Sequence, residues 1–484
     1  MCKGGISMFN DDDDSRFEFS KEEVDLLVRR FDGMLKENKV LFFDVEEFME
    51  ISSYYMEKGN PRMARKSLEL GLQQHTQSTD LLLQKALICS ASGRLKEGHE
   101  ALDIVEFMEP LNDQVYLLRG QIYGQQRRSK EAIENYEKAL KLSDEASDEV
   151  YMDIAFEYEN LGNFDKAIGA LKMALELNSE NEAVLYELGF CYTAIEREEE
   201  WAEFLLDYID GHPYSETAWY NLGNAFYNLD LVEKAIESYD YCITINERFT
   251  SAYFNLGNAY LSLEQFDNAI EAYSHCLKLE DSSSSLTHCY IGECYERKAE
   301  YESAIVHYKT ALDIDPDYSE AWLGMGIVKD AQGKIHEAVL FIEKAVELNP
   351  DNSEYLEVLA EGYEKLGRIE DAKTIFKKCL VMAPYSTEAR ISYAQMVFEY
   401  EMDGDYLDIL NEGLLLQPDD ASLHFSLSGF LMADGRFTEA ESHLIKGLEI
   451  DKTEVEKLWE VFPEALHLQW VRDILTQYLE KNEF

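Results

Sequence analysis

Proline is scarce in this chain of 484 residues, and the few that occur keep a regular spacing. Six of the eight are Pro110, Pro213, Pro316, Pro350, Pro384 and Pro418. The last four are each 34 residues apart, and the two earlier gaps are each 103, one more than three such periods. A fixed period of this length indicates stacked structural repeats. Because a single core stops growing at roughly 250–300 residues, the period predicts an elongated fold whose core is spread along the repeats.

The proline phase divides the chain into twelve units. They start at Val45, Thr79, Asp113, Asp148, Glu182, Glu216, Thr250, Ser285, Ser319, Ser353, Thr387 and Ala421. Two units carry an extra residue, near Asp144–Ser147 and within Ser282–Ser285, and both stretches are polar. Positions are counted below from the first residue of each unit.

Each unit has the pattern of two helices, because apolar residues recur at spacings of three and four. Position eight is small in all twelve units, as in Gly120, Gly257 and Gly292, which predicts a close approach of the two helices. Position fifteen is glycine in six units, as expected for the left-handed residue that ends a helix. These six are Gly59, Gly93, Gly162, Gly333, Gly367 and Gly435.

These units resemble the tetratricopeptide repeat. The resemblance is carried by Trp219–Gly223 with Phe226, Ala235 and Tyr239, and by Tyr253–Gly257 with Tyr260, Ala269 and Tyr273. It extends from Val45 to about Glu454. It implies an all-α, right-handed superhelical solenoid of about twelve helix–turn–helix units, in a family that mostly binds peptides or proteins and seldom catalyses.

The chain is predicted to have four segments. Residues 1–19 form an acidic tail, expected to be disordered, that contains Asp11–Asp14; residues 20–44 hold an N-terminal capping helix and a connection; residues 45–454 form the solenoid; residues 455–484 form C-terminal capping helices. Capping-box spacing at Ser20 and Glu23, and again at Thr453 and Glu456, predicts helix starts at both ends.

Two units depart from the common pattern. Trp201 and Tyr406 occupy position twenty, where nine other units have alanine, and Tyr208 occupies the usually small position twenty-seven. Side chains of this size predict local repacking or, as an alternative, a change of superhelix pitch or a hinge near Trp201.

The formal net charge of -52, from 96 acidic and 44 basic residues, restricts the partners. It argues against nucleic acid and against an anionic membrane surface, both of which attract lysine and arginine patches. No apolar run reaches the length of a membrane-spanning helix, and no signal peptide is evident at the N-terminus. Eight cysteines are few for a disulfide framework, so we expect a cytoplasmic protein.

No catalytic or phosphate-binding motif is present, and we predict neither an enzyme nor a cofactor. His275, Cys276, His288, Cys289 and Cys294 are close in sequence and could suggest zinc. Several of these cysteines instead recur at buried repeat positions, where cysteine acts as a small hydrophobe. The prediction is therefore that no metal binds there.

The resemblance implies that the first helix of each unit lines a concave groove, with positions five, six, nine and twelve making most contacts. The predicted partner-binding residues are Tyr186, Phe190, Tyr220, Asn221, Asn224, Tyr227, Phe254, Asn255, Asn258, Glu293, Glu296, Asp330 and Glu361. Phe156, Glu357 and Glu364 fall at the same positions. Some of these side chains are alternatively expected to pack inside the solenoid. The asparagines form short ladders that could hold the backbone of an extended peptide.

The sequence thus predicts a non-enzymatic scaffold that binds a peptide, a helix or a basic protein segment in an apolar, acid-rimmed groove. An alternative is a cytoplasmic chaperone or escort for a basic or aggregation-prone client. The identity of the partner and the oligomeric state stay open.

Overall fold

A computed structural model describes residues 19–143, 146–279, 284–400 and 406–479. Within these ranges the chain is all-α, with two 3-10 helices at Lys452–Val455 and Pro463–His467 and no strand. The α-helices are α1 Lys21–Glu37, α2 Val45–Glu57, α3 Pro61–Gln74, α4 Thr79–Ala91, α5 Leu95–Met108, α6 Asp113–Gln125, α7 Ser129–Leu142, α8 Asp148–Asn160, α9 Phe164–Leu177, α10 Glu182–Ala194, α11 Glu198–Gly211, α12 Glu216–Asn228, α13 Val232–Ile245, α14 Thr250–Ser262, α15 Phe266–Leu279, α16 Ser285–Arg297, α17 Tyr301–Ile314, α18 Ser319–Ala331, α19 Ile335–Leu348, α20 Ser353–Lys365, α21 Ile369–Met382, α22 Thr387–Glu399, α23 Tyr406–Leu416, α24 Ala421–Ala433, α25 Phe437–Ile450, α26 Glu456–Val461 and α27 Gln469–Leu479. The predicted acidic tail lies outside the described residues except for Phe19.

Helices α2 to α25 form twelve repeats of two helices each. The first helix of every repeat begins at the residue predicted from the proline phase, and each of these helices is 13 residues long. The predicted all-α repeat solenoid is therefore confirmed.

The chain divides between Leu231 and Val232, inside the sixth repeat, into two compact units, which we call unit 1 and unit 2. Among the described residues, no helix has the length and apolar character to cross a membrane.

Several first helices start at short polar side chains. Ser78, Ser215, Asn352 and Ser386 each accept a hydrogen bond from the backbone N–H three residues later. Such a cap satisfies one of the N–H groups that the first turn of a helix leaves without a partner. In these repeats the starting point is thus set locally, by the residue just before the repeat.

The turn between the two helices of a repeat requires a left-handed backbone at position fifteen. All six glycines predicted for this role have φ between 67° and 76°. Five other repeats have a residue with a side chain there, at φ between 55° and 59°: Arg127, Glu196, Asp230, Glu264 and Ala299. The geometry is therefore common to the repeats, whereas glycine, which adopts it without steric strain, is present in only about half of them.

Position eight is small because a large side chain of the second helix lies directly over it. A Cβ atom added at Gly257 would lie 2.5 Å from the ring of Tyr273, and one at Gly292 would lie 2.8 Å from Tyr308. Both distances are shorter than any van der Waals contact allows. The predicted close approach of the paired helices is therefore confirmed, and its partner is the side chain at position twenty-four.

The carbonyl groups of the periodic prolines are hydrogen-bond acceptors. In five repeats the side chain at position four contacts the carbonyl oxygen of the proline six residues earlier. The pairs are Tyr116 Oη and Pro110 (3.1 Å), Trp219 Nε1 and Pro213 (3.0 Å), Trp322 Nε1 and Pro316 (2.8 Å), Arg390 Nη2 and Pro384 (2.9 Å), and His424 Nε2 and Pro418 (3.2 Å). The sixth, Pro350, accepts from Lys378 Nζ at 2.7 Å. Side chains of very different chemical type thus contact the same carbonyl group and stabilise the same turn.

A change of superhelix pitch or a hinge near Trp201 stays a prediction, but Trp201 itself packs inside its own repeat. Its side chain is only 2% exposed and stacks between Tyr192 and Phe204, with ring centroids 5.4 and 5.6 Å away. It lies against Gly189, the small residue at position eight of the same repeat. Tryptophan at position twenty therefore fills the space that position twenty-four fills in other repeats.

The two ends are covered by additional helices. At the N-terminus, Ser20 and Glu23 form the predicted capping box of α1, whose Phe31 is fully buried against Phe43 and Phe48. At the C-terminus, Leu458 and Val471 are buried against the last repeat.

The capping box predicted from Thr453 and Glu456 is wrong. Asp451 takes the capping role, because its carboxylate accepts from the Thr453 N–H and opens a 3-10 helix instead. The helix α26 that follows has only six residues, and Pro463 opens a second 3-10 helix rather than the last α-helix.

We expect the turn glycines to contribute to stability through the backbone alone. Nothing among the described residues lies within 4 Å of the place where Gly333, at φ 74°, would carry a Cβ. Gly333→Ala should lower the free energy of unfolding by about 1 kcal/mol, since a left-handed alanine is strained. Ala299→Gly, which relieves the same strain, should not lower it. Urea unfolding followed by circular dichroism measures both, and equal losses in the two variants would contradict this account.

The proline contact is expected to stabilise each repeat. Trp322→Phe keeps an aromatic ring beside Phe341 but removes the donor to Pro316, so the free energy of unfolding should fall by about 1 kcal/mol beyond the loss from reduced ring size. Trp470→Phe is the control, because it removes the same atoms from a ring that packs on Phe437. Identical losses in the two variants would show that the hydrogen bond contributes nothing.

Candidate protein-binding surface

In unit 1, the faces of the first helices carry exposed aromatic rings. Phe156 on α8 is 60% exposed and Phe190 on α10 is 57% exposed, while Tyr186 and Tyr227 are each more than one third exposed. We call these four residues the aromatic patch. Ring contacts hold it in place: Phe190 lies edge-on to Phe164 at 6.1 Å, and Tyr186 lies 6.4 Å from Tyr220 on α12.

The helices that carry the aromatic patch are tied together by polar contacts. Asn181, just before α10, donates to Asp148 of α8 at 3.0 Å and contacts the sulfur of Met152 at 3.4 Å. The Cys191 thiol of α10 lies 3.4 Å from Glu159 of α8. These contacts join neighbouring first helices directly, and the predicted groove along them stays a prediction.

The asparagines are used differently from the predicted ladder. The Asn221 side chain, predicted to bind the partner, is 5% exposed, and its nitrogen donates to Thr217 O at 2.9 Å. Asn258 is half-buried, and its oxygen accepts from the Tyr273 hydroxyl at 2.7 Å. Asn224 and Asn255 are half-buried. Position six of this repeat is thus buried. The amide side chain at this position did not indicate that burial in the sequence.

Phe254, in unit 2, packs between repeats instead of standing free. Its ring lies 5.6 Å from Tyr273 and 5.5 Å from Tyr290, and it is half-buried. This is the alternative that the sequence left open for position five.

Unit 2 brings together the predicted acidic residues. Glu293 and Glu296 lie on α16, Asp330 lies on α18, and Glu357, Glu361 and Glu364 lie on α20. All six are half-buried. We call them the acidic strip. The Lys365 ammonium bridges α20 and α18 by an ion pair with Asp330 at 2.6 Å.

Burial and mutual repulsion raise the pKa values of these carboxyl groups. Burial first, then the charges of Glu361, Glu388 and Glu354, raise the pKa of Glu357 to about 7. Burial is also the main cause that raises the pKa of Glu296 to about 6, against the hydrogen bond that it accepts from Tyr308 at 2.6 Å. The pKa values of Glu293, Glu361 and Glu364 are raised chiefly by burial as well. Crowded, partly desolvated carboxylates lower their free energy when a cation approaches.

The sequence did not identify two contributors to the acidic strip. Glu388 and Glu399 on α22 raise the pKa values of Glu357 and Glu364, respectively. They occupy positions two and thirteen, which lie outside the groove positions implied by the resemblance. The signal that could have found them is the stacking of neighbouring first helices, since position two of one repeat faces position five of the repeat before it.

The cysteines and histidines that could suggest zinc are separated by the fold. Cys276 and Cys294 are buried in apolar surroundings, and His275 stacks on Tyr253 with ring centroids 5.4 Å apart. His288 pairs with His307, with 3.1 Å between their Nδ1 atoms. Among the described residues, no group of three or more metal-ligating side chains converges.

Comparisons with known proteins agree with this architecture. The family model of the tetratricopeptide repeat matches residues 113–145 and 148–181, and a model described as the cilia and flagella-associated protein 70 C-terminal domain matches residues 206–405, less than half of the chain. No curated protein matches in sequence.

Three solved structures are among those that are similar to parts of this chain. A subunit of the APC/C hetero-tetramer Cut9–Hcn1 is 13% identical over 81% of this chain and 89% of its own, with a TM-score of 0.42. A tetratricopeptide repeat protein from Parabacteroides merdae is 19% identical over 52% of this chain and 98% of its own, with a TM-score of 0.42. YrrB, described as a TPR protein with an unusual peptide-binding site, is 16% identical over 42% of this chain and 100% of its own, with a TM-score of 0.32.

Helix pairs of constant length, small residues at position eight and the matching family model together define the class. The chain contains tetratricopeptide repeats, which the family model matches at residues 113–145 and 148–181, and such repeats support a protein–protein interaction scaffold.

The acidic strip should make stability depend on pH. A carboxyl group whose pKa is raised in the folded state stabilises the fold when protonated, and this contribution is lost as the pH rises through the folded pKa. Glu357→Gln should therefore change stability little at pH 5 and raise it at pH 8, by about 1 kcal/mol once solvent screening is allowed for. Thermal unfolding at the two pH values measures the difference. Glu237→Gln on α13, which is exposed, is the control, and an equal gain there would contradict the proposal of local repulsion.

Proposed function

We propose that this scaffold binds a basic protein segment along the faces of its first helices. The observation that carries the proposal is the acidic strip, where six half-buried carboxyl groups lie on three consecutive first helices and five of them have raised pKa values. Lysine or arginine side chains of a partner relieve this repulsion, so the free energy of binding includes the release of strain already present in the free protein.

The aromatic patch of unit 1 supplies the apolar part of the same proposal. Phe156 and Phe190 expose more than half of their surface, and large aromatic side chains supply much of the binding energy at protein interfaces. A partner segment that carries apolar residues has the chemistry that the aromatic patch requires. We place the protein in the cytoplasm, which its low cysteine content favours.

The acidic strip makes binding of a basic peptide sensitive to charge at defined positions. The double variant Glu357→Gln, Glu361→Gln should bind a lysine–leucine peptide about tenfold more weakly than the unaltered protein at low salt, because two crowded charges are lost. The difference should shrink at 0.5 M salt, where screening weakens both proteins. Fluorescence anisotropy with a labelled peptide measures the affinities.

A matched control removes the same charge elsewhere in unit 2. Glu237→Gln with Asp313→Asn changes two exposed groups on α13 and α17. Equal weakening by both double variants would mean that the partner senses only net charge, and the acidic strip would not be the site. Binding of unfolded apolar chains with no dependence on lysine or arginine would instead favour the escort function.

A further inference from the structure

The strongest unexplained feature outside the acidic strip is a buried carboxyl group in unit 1. Glu157 on α8 is 4% exposed, and its Oε2 atom has no hydrogen-bond partner among the described residues. Buried carboxyl groups are normally paired or hydrogen-bonded, because desolvation without compensation is costly. The Oε2 atom of Glu157 is therefore a candidate acceptor for a cationic donor that the described residues do not supply.

Glycine on the neighbouring first helix makes room for this carboxyl group. A Cβ atom added at Gly124 on α6 would lie 2.4 Å from Glu157 Oε1. The carboxyl group thus lies directly against the backbone of α6, in space that any other residue at position 124 would occupy.

Two further acidic side chains follow the same side of α8. Asp153 and Glu149 precede Glu157 by one and two turns, so the three lie in a row. Burial first, then the charges of Glu149 and Glu157, raise the pKa of Asp153 to about 6. The Tyr136 hydroxyl of α7 faces both Asp153 and Glu157, and its own pKa is raised. A hydrogen bond from the Tyr136 hydroxyl to Asp153 opposes this rise in pKa. We call Asp153 and Glu157 the carboxylate notch.

The carboxylate notch lies beside the aromatic patch. Phe156 follows Asp153 by three residues, which places both on adjoining parts of the α8 surface. A segment that covers Phe156 brings its own side chains within one helical turn of the notch. Lysine has the required form, since its four-carbon stem packs along an aromatic ring while its compact ammonium group reaches a carboxylate.

We propose that the carboxylate notch accepts a lysine side chain of the bound segment, with Asp153 and Glu157 as its ligands. The assignment rests on the proposed function and adds to it a defined anchor position in the fourth repeat, within unit 1, whereas the acidic strip occupies the eighth to tenth repeats. It predicts that the carboxylate notch lowers the stability of the free protein and raises its affinity for the lysine-bearing segment.

Glu157→Gln separates these two effects. The variant should bind the lysine–leucine peptide about tenfold more weakly, because a charge-assisted hydrogen bond to the ammonium group is lost. Its thermal midpoint should rise by about 2 °C, because an unpartnered buried charge is removed. Glu134→Gln on α7 is the matched control, since it removes one exposed charge from the neighbouring helix and should change neither quantity appreciably.

Two results would overturn the assignment. A lower thermal midpoint with unchanged affinity would show that Glu157 has a structural role, and no change in either quantity would show that the notch takes no part in binding. Stabilisation of the unaltered protein by 1 mM calcium, absent in Glu157→Gln, would assign the notch to an inorganic cation instead of lysine.

A second probe separates this assignment from the proposed function. n-Butylammonium chloride, which resembles the end of a lysine side chain, should stabilise the unaltered protein more than Glu157→Gln when compared with sodium chloride at equal ionic strength. If this difference appears but the peptide does not bind, the notch stands and the proposed function falls. If the peptide binds equally to both proteins and butylammonium shows no difference, the notch falls and the proposed function stands.

Discussion

Each repeat depends on one contact, between a residue with little or no side chain on the first helix and a large side chain on the second. At Gly257 and Tyr273, as at Gly292 and Tyr308, an added Cβ atom would overlap the ring. This contact sets how closely the paired helices approach, and close approach is what lets 34 residues bury a core between only two helices. Because the contact fixes which side of the first helix faces inward, it also leaves other positions of that helix available for a partner.

Most of the fold could be predicted because its determinants are local and repeated. Proline phase alone located every first helix, and the structure explains why: the proline carbonyl accepts from position four of the helix that follows, whether that residue is Tyr116, Trp322 or Arg390. The errors lie where the repetition stops. At the C-terminus, Asp451 competed successfully with Thr453 for the capping role, and no second copy of the pattern was present to show it.

The candidate site was less predictable than the fold, since position in a repeat does not determine burial. The stacking of neighbouring repeats buries Asn221 and half-buries Phe254, although both have the residue types expected of a groove. The same stacking places Glu388 near Glu357 and Gly124 against Glu157. These are contacts between different repeats, and they depend on pairs of positions that no single repeat displays.

Carboxyl groups that repel one another are tolerated here because a solenoid confines their cost. Each repeat contacts only its neighbours, so the strain at Glu357 or Glu157 is set against the packing of two or three repeats and does not spread along the chain. In a compact core of similar size, such groups would destabilise the packing on every side. Unfavourable charge can therefore accumulate on the first helices up to the limit of local stability. Under the proposed function, every carboxyl group held in this way increases the free energy gained when a basic partner binds, and partly buried charge contributes more to that gain than freely hydrated charge.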